Sequence, residues 1–104
     1  PAEPTLADGL SGGIGEIAFE HRELVDEVVT VTEGEIEDAI VALLAADQVV
    51  AEASGAVGVA ALRAGKVASA GRGPVVAVVT GGNIDARVLA RLLASRYGAG
   101  EGRR

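Results

Sequence analysis

The sequence predicts an α/β fold, in which a partial parallel sheet of about three short strands alternates with about four helices. Residues 75–79, VVAVV, form a continuous apolar run, which is typical of a parallel strand covered on both faces. Residues 36–44 instead place apolar side chains three and four positions apart, the spacing of one helix face. The two kinds of segment alternate along the 104 residues, and this alternation indicates the α/β class.

The first two helices are predicted over residues 16–24 and from Thr32 to about Asp47. The first is expected to turn three side chains inward: Ile17, Phe19 and Leu24. The second begins with a T-x-x-E capping box, in which Thr32 and Glu35 each satisfy a backbone N–H of the first turn. Its inward face is regular and consists of Ile36, Ala39, Ile40, Leu43 and Leu44.

The last two helices are predicted from Gly55 to about Arg63, with Ser54 as the cap, and from Asp85 to about Tyr97. The third helix, GAVGVAAL, is small and apolar all round, and a helix without a polar side is normally buried on every side. The fourth is expected to be amphipathic. Its predicted inward residues are Val88, Leu89, Leu92 and Leu93, and its predicted water-facing residues are Arg87, Arg91 and Arg96.

Strands are predicted at 26–31, 48–51 and 75–79 because these runs are rich in β-branched residues. Residues 1–15 are expected to form a glycine-rich loop and residues 98–104 a flexible tail. An apolar strand and an apolar helix need more cover than these few elements provide. The chain is therefore expected to self-associate as a homo-oligomer or to be part of something larger.

The composition excludes several classes of function. The absence of cysteine rules out disulfides and thiolate metal sites, and the single histidine, His21, has no second ligand nearby, so no metal site is expected. A net charge of −6 argues against nucleic-acid binding. No stretch reaches the roughly 18 apolar residues of a membrane span, and Pro1 to Leu6 does not resemble a signal peptide, so a cytoplasmic protein without a membrane partner is expected.

The charges are unevenly distributed. Residues 1–52 contain thirteen Asp and Glu against Arg22 alone, whereas residues 53–104 contain two acids against eight Lys and Arg. Halves of opposite sign can attract each other within a fold or across an interface. A solvated acidic face on the Glu-rich helix is the alternative interpretation.

The most informative motif is the run VVAVVTGGNID at 75–85. A strand, a glycine turn and a helix start together form a pocket floor in which backbone N–H groups and one hydroxyl face a ligand. The same arrangement also occurs as plain α/β connectivity, so the motif alone leaves both interpretations open.

Four segments together resemble a known family: ADGL at 7–10, LVDEVVTVTEGEIEDAI at 24–40, AEASGAVGVAAL at 51–62 and VVAVVTGGNID at 75–85. In this order, from about Thr5 to about Ser95, they are similar to the carboxy-terminal third of the pyridoxal-phosphate-dependent threonine/serine dehydratases and serine racemases, of the tryptophan-synthase-β-like fold class. The resemblance implies that residues 1–104 are a fragment of such a catalytic domain, and that their fold is the carboxy-terminal part of its large domain.

The resemblance also implies cofactor contacts at the glycine turn. The family places the serine of an S-G-G-N segment against the pyridine nitrogen of pyridoxal phosphate, and Thr80 occupies that position here. A hydroxyl can hydrogen-bond the ring nitrogen without fully protonating it, and threonine offers the same donor and acceptor as serine. Gly81 and Gly82 are expected to keep the turn open for the edge of the ring.

Two further matches are implied on neighbouring loops. Glu52, in a stretch similar to the family's E-x-[SA]-[GA]-[AG], is expected near the same side of the cofactor, and an exposed carboxylate or a partner for an arginine is the alternative. Asp8 and Gly9 match an A-D-G segment that lines the site in the family. For Asp8, a turn-forming role is favoured.

The family forms its Schiff base through a lysine in an amino-terminal segment and binds the phosphate with a separate glycine run, and no segment here matches either. Lys66 is the only lysine, and it is interpreted as a solvated loop residue. No catalytic residue is therefore predicted, and the chain is not expected to deaminate threonine or serine by itself. Its implied partner is the missing amino-terminal part of the enzyme or a second copy.

Two alternatives remain at this point. The chain could be a stand-alone α/β interaction module that self-associates without catalysis, or a small anion- or nucleotide-binding domain that uses the Gly81 turn.

Overall fold

A computed structural model describes residues 4–68 and 73–98, and over these ranges the chain is helical. Its α-helices there are α1 (Glu16–Glu20), α2 (Glu33–Asp47), α3 (Ala53–Arg63) and α4 (Ala86–Tyr97), and short 3-10 turns occur at Asp8–Leu10 and Arg22–Leu24. Helix α2 packs along α3, α4 contacts α2, and the first 3-10 turn contacts α3. These four elements enclose the core.

The predicted α/β class is wrong for the described residues, in which no strand forms. Residues 26–31, 48–51 and 75–79 follow irregular paths. One backbone hydrogen bond, 2.9 Å from the Glu52 N–H to the Gly81 carbonyl, joins the end of the second segment to the turn after the third. A parallel ladder needs a repeated series of such bonds. Without it the valines stay uncovered, so that Val76 is 86% exposed and Val78 74% exposed.

The core is built from small side chains. Seven of its twelve buried apolar residues are alanines, and Ile40 and Leu92 are the largest side chains that are fully buried. On α2 the predicted inward face is confirmed for Ile36, Ala39, Ile40 and Leu43, and Leu44 is half-buried. A core of this composition requires α2 and α3 to approach each other closely, because alanine fills little space between two backbones.

Helix α2 begins and ends as the sequence predicts. The Thr32 hydroxyl accepts a hydrogen bond from the Glu35 N–H at 3.1 Å, and the Glu35 carboxylate accepts one from the Thr32 N–H at 2.8 Å. This confirms the capping box. The helix ends at Asp47, and Gln48 follows in the left-handed region with φ 53°.

Helix α3 begins two residues earlier than predicted. Its first residue is Ala53 and its N-cap is Glu52, so the prediction that Ser54 caps a helix starting at Gly55 is wrong. The Ser54 hydroxyl instead accepts a hydrogen bond from the Gly9 N–H. Every residue from 53 to 62 is buried or half-buried, in keeping with the apolar sequence of this helix.

The first predicted helix is shorter than expected. Helix α1 ends at Glu20, and a 3-10 turn follows. The prediction that Ile17, Phe19 and Leu24 face inward is wrong, since all three are exposed and Ile17 is 75% exposed. Helix α1 packs against the neighbouring turn, and this contact is too small to cover those side chains.

Helix α4 is amphipathic as predicted, with one exception. Asp85 is its N-cap and accepts a hydrogen bond from the Arg87 N–H at 2.7 Å. Leu92 is buried, and the other three predicted inward residues are half-buried. Arg87 and Arg91 are exposed, but the prediction that Arg96 faces water is wrong, because its side chain is only 24% exposed and is ion-paired.

The described chain is spread out for its size. Its radius of gyration is 15.4 Å, compared with roughly 13 Å for a compact domain of 100 residues. Within the described ranges, no helix combines the length and the apolar character that crossing a bilayer requires. Of the predicted tail at 98–104, residues 99–104 lie outside the described residues, as do residues 1–3 of the predicted loop.

Candidate functional site

The glycine turn that follows Thr80 is held by Glu52. Gly81 has φ 78°, a conformation that glycine adopts without strain. The Glu52 carboxylate lies directly against Gly81, where a Cβ would overlap Oε1. The same Oε1 accepts a hydrogen bond from the Asn83 N–H at 3.3 Å, and the Glu52 N–H donates to the Gly81 carbonyl. Glu52 therefore contacts the turn through both its main chain and its side chain.

The start of α3 presses against the same turn. A Cβ on Gly55 would overlap the carbonyl group of Thr80, and one on Gly82 would lie 3.1 Å from the Val50 carbonyl oxygen. At position 55 such an approach is open only to glycine, whereas at position 82 a side chain would require the Val50 carbonyl to shift by a few tenths of an ångström. These glycines thus let the turn lie against the backbone of the segment that leads into α3.

The loop that carries Gly9 also contacts the start of α3, so that this loop, the turn at residues 80–83 and residues 52–55 form one junction. The Gly9 N–H donates to the Ser54 hydroxyl at 2.9 Å, and the neighbouring Ala7 is buried in the core. Asp8 lies in the 3-10 turn, and its carbonyl accepts the Ser11 N–H. The start of α3 therefore brings together the segments that hold all the predicted cofactor-binding residues: Gly9, Glu52, Thr80, Gly81 and Gly82.

The side chain of Thr80 is one of the exposed polar groups of this junction. Thr80 is exposed, and among the described residues its hydroxyl has no hydrogen-bond partner. A threonine hydroxyl offers one donor and two acceptor lone pairs, so this oxygen is available to a ligand.

A cleft of about 280 Å³ opens beside the junction, and Thr80 is not part of its lining. Among its lining residues are Thr5, Asp8, Glu52, Asn83 and Asp85. Three of these, Asp8, Glu52 and Asp85, carry carboxylates, so the lining of the cleft is acidic. In the described residues, no group of three or more His, Asp or Glu is arranged to hold a metal ion.

Lys66 is ion-paired, so the prediction that it is a solvated loop residue is wrong. Its ammonium donates to the Glu35 carboxylate at 2.7 Å and to the Thr30 carbonyl at 2.8 Å. The Lys66 ammonium, together with the Thr32 N–H, lowers the pKa of Glu35. The only lysine of the sequence thus serves to tie the loop after α3 to the start of α2.

Arg96 makes a second link to α2. Its guanidinium lies 2.7 Å from the Asp38 carboxylate and 3.3 Å from that of Glu37. The hydrogen bond to Asp38 is the largest cause of a raised pKa for Arg96. The ion pairs of Lys66 and Arg96 both join the acidic first half of the chain to its basic second half. The attraction that the charge distribution predicts therefore occurs within the fold.

Glu33 and His21 make three further polar contacts. Glu33 accepts hydrogen bonds from the Thr5 hydroxyl and the Leu6 N–H, which lower its pKa in that order of importance. His21 is exposed at the end of α1, with Nδ1 2.8 Å from the Ile17 carbonyl oxygen. The latter contact is local and points to no ligand.

The contacts of Ser54 and Asn83 could not be predicted from the sequence. Ser54 bonds to a residue 45 positions away, and Asn83 to one 31 positions away, and no local spacing signals either contact. For Lys66 a signal existed, because the charge asymmetry predicts attraction between a base of the second half and the acidic start of α2.

Comparison with known proteins decides the family. The profile of the pyridoxal-phosphate dependent enzymes matches residues 1–81. The chain belongs to this family. The resemblance seen in the four segments is thereby confirmed, as is the cofactor that it implies, since the family depends on pyridoxal phosphate.

Several similar proteins are named as L-threonine ammonia-lyases or dehydratases. The chain is 46% identical over 93 residues to the L-threonine ammonia-lyase of Thermotoga maritima, which covers 88% of the chain and 23% of that enzyme. It is 44% identical over 92 residues to the L-threonine ammonia-lyase of Geobacter sulfurreducens, covering 86% and 22%. It is 42% identical over 84 residues to the catabolic L-threonine dehydratase TdcB of Escherichia coli (strain K12), covering 78% and 26%. The chain thus spans about a quarter of the length of these relatives.

Proposed function

We propose that this chain is the carboxy-terminal segment of a pyridoxal-phosphate-dependent threonine/serine dehydratase, whose whole enzyme converts L-threonine or L-serine to a 2-oxo acid and ammonia. The names of the relatives and their 42–46% identity support this substrate class. The observation that carries the proposal is the exposed Thr80 hydroxyl, which has no partner among the described residues, at the position that resembles the family's ring-nitrogen contact.

The residues of the junction fit the pyridine end of the cofactor. Pyridoxal phosphate, when bound, supplies an electron sink for the carbanion of an amino-acid substrate. A ring nitrogen needs one hydrogen-bond partner, and the Thr80 hydroxyl can either donate or accept. Thr80 cannot hold the nitrogen in its protonated form as a carboxylate would, which agrees with the hydroxyl found in the resembling dehydratases. Gly9 lies on a loop fixed to the same junction.

The chain alone is proposed to be inactive. Its one lysine is engaged by Glu35 and the Thr30 carbonyl, and no segment resembles the family's Schiff-base lysine or its phosphate-binding glycine run. Purified chain incubated with pyridoxal phosphate and L-threonine should release no 2-oxo acid. Release of 2-oxo acid, together with a borohydride-reduced adduct on Lys66 in mass spectrometry, would contradict this part of the proposal.

A chimaera tests the role of Thr80. In it, this chain replaces the matching 93 residues of the Thermotoga maritima L-threonine ammonia-lyase. The chimaera should deaminate L-threonine, and Thr80→Ser, which keeps the hydroxyl, should leave cofactor affinity unchanged. Thr80→Ala should weaken cofactor binding by roughly 2- to 10-fold, the equivalent of one net hydrogen bond. Equal cofactor affinity in all three forms would show that the hydroxyl does not contact the ring.

The uncovered apolar residues support a partner. Val75, Val76 and Val78 are all exposed, and Val28 is 85% exposed. We propose that the remaining part of the enzyme covers them, and that a second copy does so when the chain is alone. Light scattering of the isolated chain should then report a dimer or larger species. A monomer that binds no apolar dye would exclude this.

The alternative is a stand-alone module that self-associates without catalysis, and the exposed valines favour it equally. The chimaera separates the two. Activity that depends on the Thr80 hydroxyl supports the dehydratase segment, whereas a correctly folded chimaera without cofactor binding supports the module.

A further inference from the structure

We propose that Glu52 is a positioning residue rather than a cofactor ligand. Its carboxylate occupies the Gly81–Asn83 turn as a built-in anion, and this leaves the Thr80 hydroxyl as the group offered to the cofactor. The inference rests on the proposed function, because it assigns the orientation of the same site.

The first support is the set of contacts that Glu52 makes. Its N–H donates to the Gly81 carbonyl at 2.9 Å, and its side-chain Oε1 accepts from the Asn83 N–H at 3.3 Å. Its carbonyl accepts from the Gly55 N–H at 3.0 Å. One residue thus holds both ends of the Gly81–Asn83 turn and also begins α3.

The second support is the identity of the atom that occupies the space beside Gly81. A glycine at positive φ occurs in tight turns and at places where the backbone approaches a ligand closely. Here the atom that lies where a Cβ would stand is Oε1 of Glu52. At Gly82 the corresponding neighbour is the Val50 carbonyl oxygen. The protein itself therefore occupies the room that the two glycines provide.

The third support is charge. A glycine turn before a helix attracts anions because its N–H groups converge, and the phosphate of the cofactor carries nearly two negative charges. A carboxylate already placed against this turn repels a second anion and holds the Asn83 N–H. The cofactor can then approach with its ring nitrogen but not with its phosphate. The same reasoning opposes an anion- or nucleotide-binding use of the Gly81 turn.

The position of Glu52 is itself fixed by its neighbours. Ser54 is bonded to the Gly9 N–H, and Gly55 lies against the Thr80 carbonyl. The main chain of Glu52 is thus held on its carboxy-terminal side, which places its side chain within reach of the turn.

The test uses the full 104-residue chain without cofactor. Amide exchange and inorganic phosphate titrations are followed by NMR in the wild type, Glu52→Gln and Glu52→Ala, with sodium chloride at equal ionic strength as the reference. Glu52→Gln keeps the side-chain carbonyl acceptor and the size but removes the charge. Glu52→Ala removes the acceptor, the bulk of the side chain and the charge.

In the wild type, phosphate should leave the Gly81 to Asn83 amide shifts unchanged. In Glu52→Gln the Asn83 amide should exchange as in the wild type, but phosphate should now shift these amides saturably. In Glu52→Ala the Asn83 amide should exchange roughly 2- to 10-fold faster, the change expected for one lost hydrogen bond. A saturable phosphate shift in the wild type, or unchanged Asn83 exchange in Glu52→Ala, would overturn the proposal.

The amides of α2 report whether each variant is folded. If Glu52→Ala loses their protection, Glu52→Gln decides alone, and the absence of phosphate-induced shifts in it overturns the proposal. Because no cofactor is present, these results are independent of the Thr80 chimaera. A failure of the ring contact and a failure of the Glu52 role are thus told apart.

Discussion

The backbone of Gly55 lies against the carbonyl group of Thr80, so closely that a Cβ at position 55 would overlap the carbonyl oxygen. This contact joins the start of α3 to the residue whose hydroxyl is proposed to meet the cofactor. It also explains a glycine inside a helix, where glycine is unfavourable by roughly 1 kcal/mol relative to alanine.

Gly55→Ala should therefore destabilise the chain, by about 1–3 kcal/mol, because the added methyl group must displace the Thr80 backbone. The matched control is Gly58→Ala in the same helix. Its Cβ would lie 3.9 Å from the Ala77 Cβ, an ordinary contact, so this variant should gain about 0.5–1 kcal/mol. Urea unfolding followed by circular dichroism measures both. Equal stability of the two variants would show that the contact yields without strain.

The capping box of α2 gives a second prediction. Thr32→Ala removes the hydroxyl that accepts the Glu35 N–H and should lower the free energy of unfolding by about 1 kcal/mol. Thr30→Ala is the control, because Thr30 contributes its main-chain carbonyl to Lys66 and keeps it in the variant. Thr30→Ala should stay within about 0.5 kcal/mol of the wild type. A Thr32→Ala protein as stable as Thr30→Ala would argue that the cap is redundant.

The pairing of Glu35 with Lys66 predicts a dependence on pH. The folded chain lowers the pKa of Glu35 below its ordinary value of 4.5. The stabilisation is therefore complete above that value and is lost as the pH falls through the lowered pKa. Lys66→Gln should raise the pKa of Glu35 toward 4.5, as measured by NMR titration of its side-chain carboxyl carbon. An unchanged titration curve would mean that the Thr32 cap alone sets the shift.

The link between α4 and α2 supplies a fourth prediction. Arg96→Gln removes the contacts to Asp38 and Glu37 and should reduce stability by up to about 1 kcal/mol. The difference should shrink in high salt, which screens exposed charges. Arg91→Gln is the control on the same helix, since Arg91 is exposed, and it should have little effect. Identical unfolding curves for the two variants at low salt would speak against a role for the link.

Helix α2 could be predicted because its signals are local. The capping box at Thr32 and the apolar spacing on α2 lie within one segment, and the structure confirms both. The strand prediction was wrong because the β-branched residues at 75–79 indicate only a preference for a covered and paired surface. In the described residues, this run forms no strand pairing. The same reason explains Ile17, whose apolar character did not reveal that nothing packs over it.

The candidate site was predictable as a set of residues but not as a set of contacts. The resemblance named Glu52 and Gly81 for the same neighbourhood, and the structure places the carboxylate of one against the backbone of the other. It gave no indication that Ser54 binds the Gly9 loop, because that contact depends on where α3 begins. Local sequence could not fix this start to within two residues.

Small residues join α3 to its surroundings, and this has a mechanical consequence. Where long side chains separate two elements, rotamer changes absorb a displacement of one relative to the other. At Ala56 and Ala60, both buried in the core, and at Gly55 there are no rotamers to change. A sideways shift of α3 would therefore be transmitted through Gly55 directly to the Thr80 main chain, so that the position of the helix sets the position of Thr80.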